Sequence, residues 1–435
     1  MAKKDGNQSS KGGPEKRVSS SVDELLTAAL QRGDESLETG RFIVTYKENA
    51  VDEAVRSLST SGMRVADARD FTDQAVSLES VGDAEALVFP EIGAAVMAGG
   101  ALQKRGLTVQ SEIPQDSPIE AIEPEYFVFA NVDPNTLYLR GFVRAAEAIA
   151  QDLRGPVEAE ISPEEDPMVV GATWGLIKCR VPPSLKTGAG IKVAVLDTGM
   201  DLGHPDFAGR MMVTQSFVGE PVQDLHSHGT HCIGTATGPK APAGATPRYG
   251  VAFRAQIFVG KVLTNSGSGT TANVLAGMNW AIANRCPVIS MSLGSQAPVQ
   301  AAYTAAGASA LSKGCLIIAA AGNDASPTGS PANSPTIMSV ASLDPSLQPS
   351  SFSNFGKIEI AAPGRDVFSS VPRPARYGTK SGTSMATPHV AGCAALWAES
   401  SPALRGTTLW KKLQTTAKPL AVPANRVGAG LVQAP

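Results

Sequence analysis

Cysteine is scarce in this 435-residue chain, and its five positions, Cys179, Cys232, Cys286, Cys315 and Cys393, are scattered. An odd, dispersed set makes a poor disulfide framework. No CxxC pair occurs and the five histidines show no zinc spacing, so no metal site is expected from them. Buried free thiols are the expectation. No run of about 18 apolar residues is present, which argues against a membrane-spanning helix. The opening MAKKDGNQSSKGGPEKRVSS lacks the apolar core of a secretory signal. A cytoplasmic protein is therefore expected, with export by another route left open. A strong charge of one sign is also missing. The net charge of -3 gives neither nucleic acid nor an anionic membrane a reason to bind. What is there, 43% hydrophobic and 18% charged residues, suits a soluble globular chain long enough for two domains.

The pattern divides the chain into four parts. Residues 1–40 form a polar, disordered leader with one short helix over Val22 to Gly33. Residues 41–130 read as a small α+β domain. Strands are expected at Arg41 to Tyr46, Ala75 to Leu78 and Ile119 to Ile122, with helices at Ala50 to Ser61 and Glu91 to Ala98. Residues 131–166 read as a linker with a possible helix at Phe142 to Leu153 and an acidic, exposed stretch from Gly155 to Asp166. From residue 167 to the end, short apolar runs bounded by turn residues alternate with helical stretches. Val193 to Leu196, Gln256 to Lys261, Val288 to Met291 and Leu316 to Ala320 look like buried parallel strands. Ala272 to Asn284 and Ala301 to Lys313 look like the helices between them. That alternation predicts a three-layer, doubly wound α/β domain with a mostly parallel sheet.

Four stretches in this second part could carry chemistry. Val193 to Gly199 (VAVLDTG) ends an apolar strand in Asp197, at the sheet edge where ligands collect; a plain turn would also use Asp before Gly. His226 to Cys232 (HSHGTHC) holds three of the five histidines, suited to proton transfer, to a metal or to a solvated loop. Ala319 to Asn323 (AAAGN) puts an amide at a strand end, as an oxyanion donor or a turn residue. Ser381 to Gly392 (SGTSMATPHVAG) puts Ser384 among small residues at a helix start. A serine hydroxyl there gains from backbone N–H groups but needs a base beside it.

Together these motifs resemble the subtilisin-type serine proteases, for which the chain order Asp, His, Ser is the standard example. The likeness runs from about Trp174 to Ala434. It also includes Ser290 to Gly294 (SMSLG), Ala361 to Gly364 (AAPG) and Gly428 to Val432 (GAGLV). The resemblance implies a serine endopeptidase acting through an acyl-enzyme. Ser384 would be the nucleophile, His228 the general base and acid, Asp197 its orienting partner and Asn323 the oxyanion-hole side chain. His231 and His389 would be structural. Substrate would pair with Ser292, Leu293 and Gly294 on one side and Gly267, Ser268 and Gly269 on the other. The pocket for the residue before the scissile bond would be framed by Ser292 to Gly294 and by Ala320, Ala321, Gly322 and Asn323, with Asp324 at the rim. A transpeptidase or macrocyclase on the same scaffold, or a silent peptide-binding protein, are the alternatives.

Residues 41–130 resemble the propeptide of that family, which implies a ferredoxin-like α+β prodomain and a zymogen whose partners are a protein or peptide substrate and its own prodomain. About 36 residues intervene before the catalytic part, where the family usually has few. No cofactor is required by this reading. Asp206 matches a frequent calcium-ligand position, but Lys240 to Arg248 (KAPAGATPR) offers no side-chain carboxylate or amide oxygen, so calcium binding there is expected to be weak or absent.

Overall fold

The computed structural model describes residues 17–32, 36–60, 62–103, 113–130 and 171–435. The expected helix at Phe142 to Leu153 and the acidic stretch after it lie outside these residues.

The second half is built on a seven-stranded sheet in the order β14-β13-β12-β10-β6-β8-β7, every pair parallel. Its strands are β6 (Lys192–Asp197), β7 (Met212–Ser216), β8 (Gln256–Lys261), β10 (Val288–Met291), β12 (Leu316–Ala320), β13 (Met338–Leu343) and β14 (Ile360–Pro363). Apart from edge strand β7, these strands are buried almost throughout, which is why they read as unbroken apolar runs in the sequence. Alternate side chains serve opposite faces. Val193 and Val195 join one core with α5 (His228–Thr237) and α8 (Thr383–Ser400). Ala194 and Leu196 join the other, with α6 (Thr271–Ala283) and α7 (Ala301–Ser312). The expected three-layer architecture is thus present. The order of strands reverses between β6 and β10, so the crevice at their carboxyl ends is the natural place for a site.

The first half forms an α+β unit. Strands β1 (Glu38–Tyr46), β2 (Val65–Asp67), β3 (Ala86–Phe89), β4 (Ala94–Met97) and β5 (Ile119–Ala130) lie in the order β5-β1-β4-β3-β2. Helix α2 (Val51–Thr60) buries Ala54 and Leu58 against Val44, Tyr46, Ala86 and Val88, and the short helices α3 (Gly99–Gln103) and α4 (Trp174–Lys178) follow it in the chain.

Two expectations fail here, and one strand proves longer than expected. Glu91 to Ala98 is not a helix. Gly93, at φ 72°, turns the chain, and Ala94–Met97 returns as a fully buried strand between β1 and β3. Ala75 to Leu78 is not a strand. Asp73 and Gln74, at φ 53° and 56°, bend the chain into short 3-10 turns. The strand predicted at Ile119 to Ile122 runs on to Ala130.

The short helix expected in the leader is present. Helix α1 (Val22–Arg32) packs Leu25 and Ala29 on Phe127, and Val18 is fully buried.

Strand β5 joins the two halves. Its first part pairs with β1, and its last residues pair antiparallel with β9 (Ser268–Thr270) and β11 (Leu293–Gly294) of the second half. Glu123 accepts from Ala301 N at 2.8 and 3.0 Å, and Glu125 accepts from Ala272 N at 3.1 Å. Two strand carboxylates thereby sit at the N-termini of α7 and α6, where a helix favours negative charge.

Candidate active site

Asp197 ends β6 and His228 begins α5. Asp197 Oδ1 lies 2.7 Å from His228 Nδ1 and accepts from Thr198 N at 2.7 Å. Both side chains are buried. Holding Nδ1 against a carboxylate leaves Nε2 as the ring's working nitrogen. Among the described residues Nε2 has no hydrogen-bond partner.

Ser384 is the second residue of α8, so first-turn backbone N–H groups surround it. Its hydroxyl donates to Ser292 O at 3.3 Å. Pro388, four residues on, has no N–H to give Ser384 O its usual helical bond. Ser292 Oγ donates to that carbonyl instead at 2.7 Å, joined by Cys232 Sγ at 3.6 Å. The proline that would weaken an ordinary helix here ties the serine's own backbone to the opposite wall.

Asn323 follows β12. Its Oδ1 accepts from Thr383 N at 2.8 Å and Thr383 Oγ1 at 2.9 Å, which directs Nδ2 the other way. A Cβ added to Gly382 would lie 3.3 Å from Asn323 Nδ2 and 3.5 Å from Ser384 N. Both donors therefore border one small volume beside Ser384, and glycine keeps it open. Such a pair can stabilise a developing oxyanion.

Other residues singled out from the sequence fall around these. Leu293 and Gly294 pair with Ala130 and Phe129; Ser268 and Gly269 pair with Phe129 and Val128; Gly267 O accepts from Ala130 N at 2.8 Å. The two expected substrate edges are therefore both engaged by the chain's own β5. Ala320 ends β12. Ala321 N donates to Val340 O, and Gly322 N donates to Thr383 Oγ1 at 3.2 Å, so this wall is fixed to β13 and to α8. Asp324 is exposed and accepts from Gln296 Nε2 at 2.9 Å.

His231 and His389 are buried, each with a ring nitrogen 2.9 Å from a backbone carbonyl, of Val367 and Met385 respectively. Burial pushes His231 down to about 3 and His389 down to about 4, so both stay neutral near pH 7.

Two features were not read from the sequence. Cys232 lies one turn after His228, with Sγ 3.9 Å from its Nδ1, and burial pushes its thiol up. The i, i+4 spacing on a helix was the available signal. Asp197, His228 and Cys232 also bring one ligand atom each within 4.8 Å, but the first two are already joined directly.

Asp206 was the candidate calcium ligand. Its Oδ2 accepts from Tyr249 OH at 2.5 Å, and Tyr377 OH lies 3.1 Å from both oxygens. Two phenols on one carboxylate do not fit a cage of six to eight oxygen ligands.

A model of the subtilase family matches residues 188–430. Subtilisin Savinase of Lederbergia lenta is 40% identical over 268 residues, covering 60% of this chain and 96% of that one. The alkaline protease of Alkalihalobacillus alcalophilus is 39% identical over 274 residues, 61% of this chain and 70% of its own. Subtilisin E of Bacillus subtilis is 40% identical over 240 residues, 53% of this chain and 61% of its own.

Proposed function

The chain belongs to the subtilase family and is a serine endopeptidase acting on proteins or peptides, and from that premise we propose that Asp197, His228 and Ser384 are its catalytic triad. The supporting observation is the buried Asp197–His228 pair at 2.7 Å, next to Ser384: Cys232 Sγ lies 3.9 Å from His228 Nδ1 and 3.6 Å from Ser384 O. In the cycle, rotation of the Ser384 side chain moves its hydroxyl from Ser292 O to His228 Nε2. The oxygen attacks the substrate carbonyl and its proton passes to Nε2. Asn323 Nδ2 and Ser384 N–H receive the oxyanion. The tetrahedral adduct expels the amine, which takes the proton from Nε2. Water, deprotonated by the same nitrogen, then hydrolyses the acyl-enzyme. Substrate would lie between β9 and β11 as an added strand. A preference for apolar or small residues before the scissile bond follows from a wall of Ala320, Ala321 and Gly322. A peptide panel won by a basic residue would overturn it.

The N-terminal α+β unit, in this reading, is a prodomain that occludes the cleft until it is cut. The support is β5, which pairs with both edges intended for substrate. Helix α1 covers the outer side of β5 through Leu25 and Phe127. No calcium requirement is proposed at Asp206, because Tyr249 and Tyr377 already answer its oxygens. No helix among the described residues is long and apolar enough to cross a membrane. A cytoplasmic site of action belongs to the same proposal. It is supported by five buried free cysteines, which suit a reducing compartment, and is tested by cell fractionation. Fluorophosphonate labelling tests the triad: the wild-type chain should take up one label and Ser384→Ala none.

A further inference from the structure

Behind the triad lies a second buried carboxylate. Asp224 is fully buried and precedes α5 by four residues. Its Oδ1 accepts from His226 N and Ser227 N at 2.9 Å each, and from Thr198 Oγ1 at 3.0 Å. Its Oδ2 accepts from Thr230 N at 2.9 Å and Thr230 Oγ1 at 2.7 Å. These donors come from the two segments that carry Asp197 and His228. Thr198 follows Asp197 directly. Ser227 precedes His228, and Thr230 lies in its first helical turn. The Thr198 hydroxyl closes the loop by accepting from Gly229 N at 2.8 Å.

The backbone shows what this carboxylate holds. Ser227 has φ 79°, a left-handed conformation that is costly for a residue with a side chain. Its own side chain makes no capping bond to the helix. Asp224 Oδ1 supplies the acceptor that Ser227 N finds in that conformation. Lys261, buried at the end of β8, donates to Thr198 O at 2.6 Å and pairs with Glu220 at 3.3 Å, which ties down the backbone beside Asp197 as well.

We propose that Asp224 is a positioning residue for catalysis: it sets His228 against Asp197 by locking the strained Ser227 and the Thr198 hydroxyl to one carboxylate. The inference rests on the triad reading. It takes the carboxylate, not a generic polar group, to be required, because five donors converge on two oxygens. An asparagine would turn an NH2 group toward N–H or O–H donors.

The test uses the full chain with Asp224→Asn and Thr198→Val, each also built with Ser384→Ala. Active sites are counted by fluorophosphonate labelling at completion, and the labelling rate and peptide kcat and KM are measured per labelled site. Displacing a catalytic group by about 1 Å can cost on the order of a hundredfold in rate. Asp224→Asn should label to completion but at least about tenfold slower, with kcat reduced by a similar factor and KM within about twofold. Thr198→Val should act in the same direction, and the double variant should lose less than the product of the two. In the Ser384→Ala background, the downfield NMR signal of the proton shared by His228 Nδ1 and Asp197 should broaden or vanish when Asp224 is changed. A merely structural residue would lower the number of labelled sites and leave kcat per site and this signal alone. That result overturns the proposal, as does an Asp224→Asn enzyme within twofold of wild type in kcat. Failure of the triad reading looks different, with label taken up by Ser384→Ala or by no form at all. The NMR signal then still reports whether Asp224 places His228.

Discussion

Replacing Arg41 by methionine should release β5, the strand proposed to block the cleft, while leaving the triad residues unchanged. Arg41 and Glu125 are 1% and 0% exposed, and both belong to the N-terminal unit. Glu125 accepts from Arg41 Nε at 2.6 Å, Arg41 Nη2 at 2.9 Å and Thr39 Oγ1 at 2.6 Å, besides Ala272 N. Arg41 also donates to Thr270 Oγ1 across the interface and to Val18 O. Burial alone would raise Glu125; the Arg41 guanidinium and the hydrogen bonds instead hold it below the ordinary carboxylate range. Removing one partner of a buried pair costs about 3–5 kcal/mol, because a charge is left buried and unpaired. In an undocked N-terminal unit the same pair would face water, where it is worth about 0–1 kcal/mol. The difference, about 2–5 kcal/mol, falls on docking and corresponds to roughly 30- to 4,000-fold in the docking equilibrium. The assay is the rate of fluorophosphonate labelling of uncleaved chain, which reports how often the cleft is open. Arg41→Met should label faster by a factor in that range. Arg41→Met with Glu125→Leu should fall back toward wild type, since an apolar replacement of a whole pair is nearly neutral. Equal labelling rates for Arg41→Met and wild type would refute the reasoning.

Three further outcomes follow from the geometry. Burial would raise Asp201, but the hydrogen-bonded guanidinium of Arg373 holds it below the usual range. A depressed folded-state pKa contributes stability that is full above the ordinary value of about 4 and lost as pH falls below it; Asp201→Asn should therefore flatten the drop in Tm between about pH 5 and pH 2, and an unchanged drop contradicts this. Met385 is buried beside Ser384, and peroxide should abolish peptidase activity by placing a polar sulfoxide there; full activity with Met385 shown oxidised by mass spectrometry would reject it. Calcium and chelator should leave Tm unchanged, whereas Tyr249→Phe should lower it by a few degrees, from about 1.5–3 kcal/mol for a hydrogen bond to a charged group; a clear rise with calcium, reversed by chelator, would count against the tyrosine clamp.

The parallel domain was legible because its strands are buried on both faces and bounded by turns. Gln256–Lys261, Val288–Met291 and Leu316–Ala320 occur with the boundaries the apolar runs predicted. The candidate site was legible for the same reason, since its chemical groups stand at strand ends and helix starts marked by glycine. The N-terminal unit was harder. Ala94–Met97 has helix-forming composition, but burial between two strands overrides local preference. The extent of β5 was hidden by Glu123, Pro124 and Glu125, which look like the end of a strand. The two carboxylates are answered by Thr39, Arg41 and helix starts in the other half of the chain, partners that no local pattern reveals. Asp224 was missed because its function is carried by five backbone and hydroxyl donors, none of which forms a motif.

The central claim is that Ser384, driven by His228, cuts peptide bonds, the first of them in its own chain. Purified wild type and Ser384→Ala should be incubated side by side and their intact masses followed over time. The account predicts that wild type loses its N-terminal unit while Ser384→Ala stays whole. Loss of the same segment from both would contradict it, because the cut would then not need the serine.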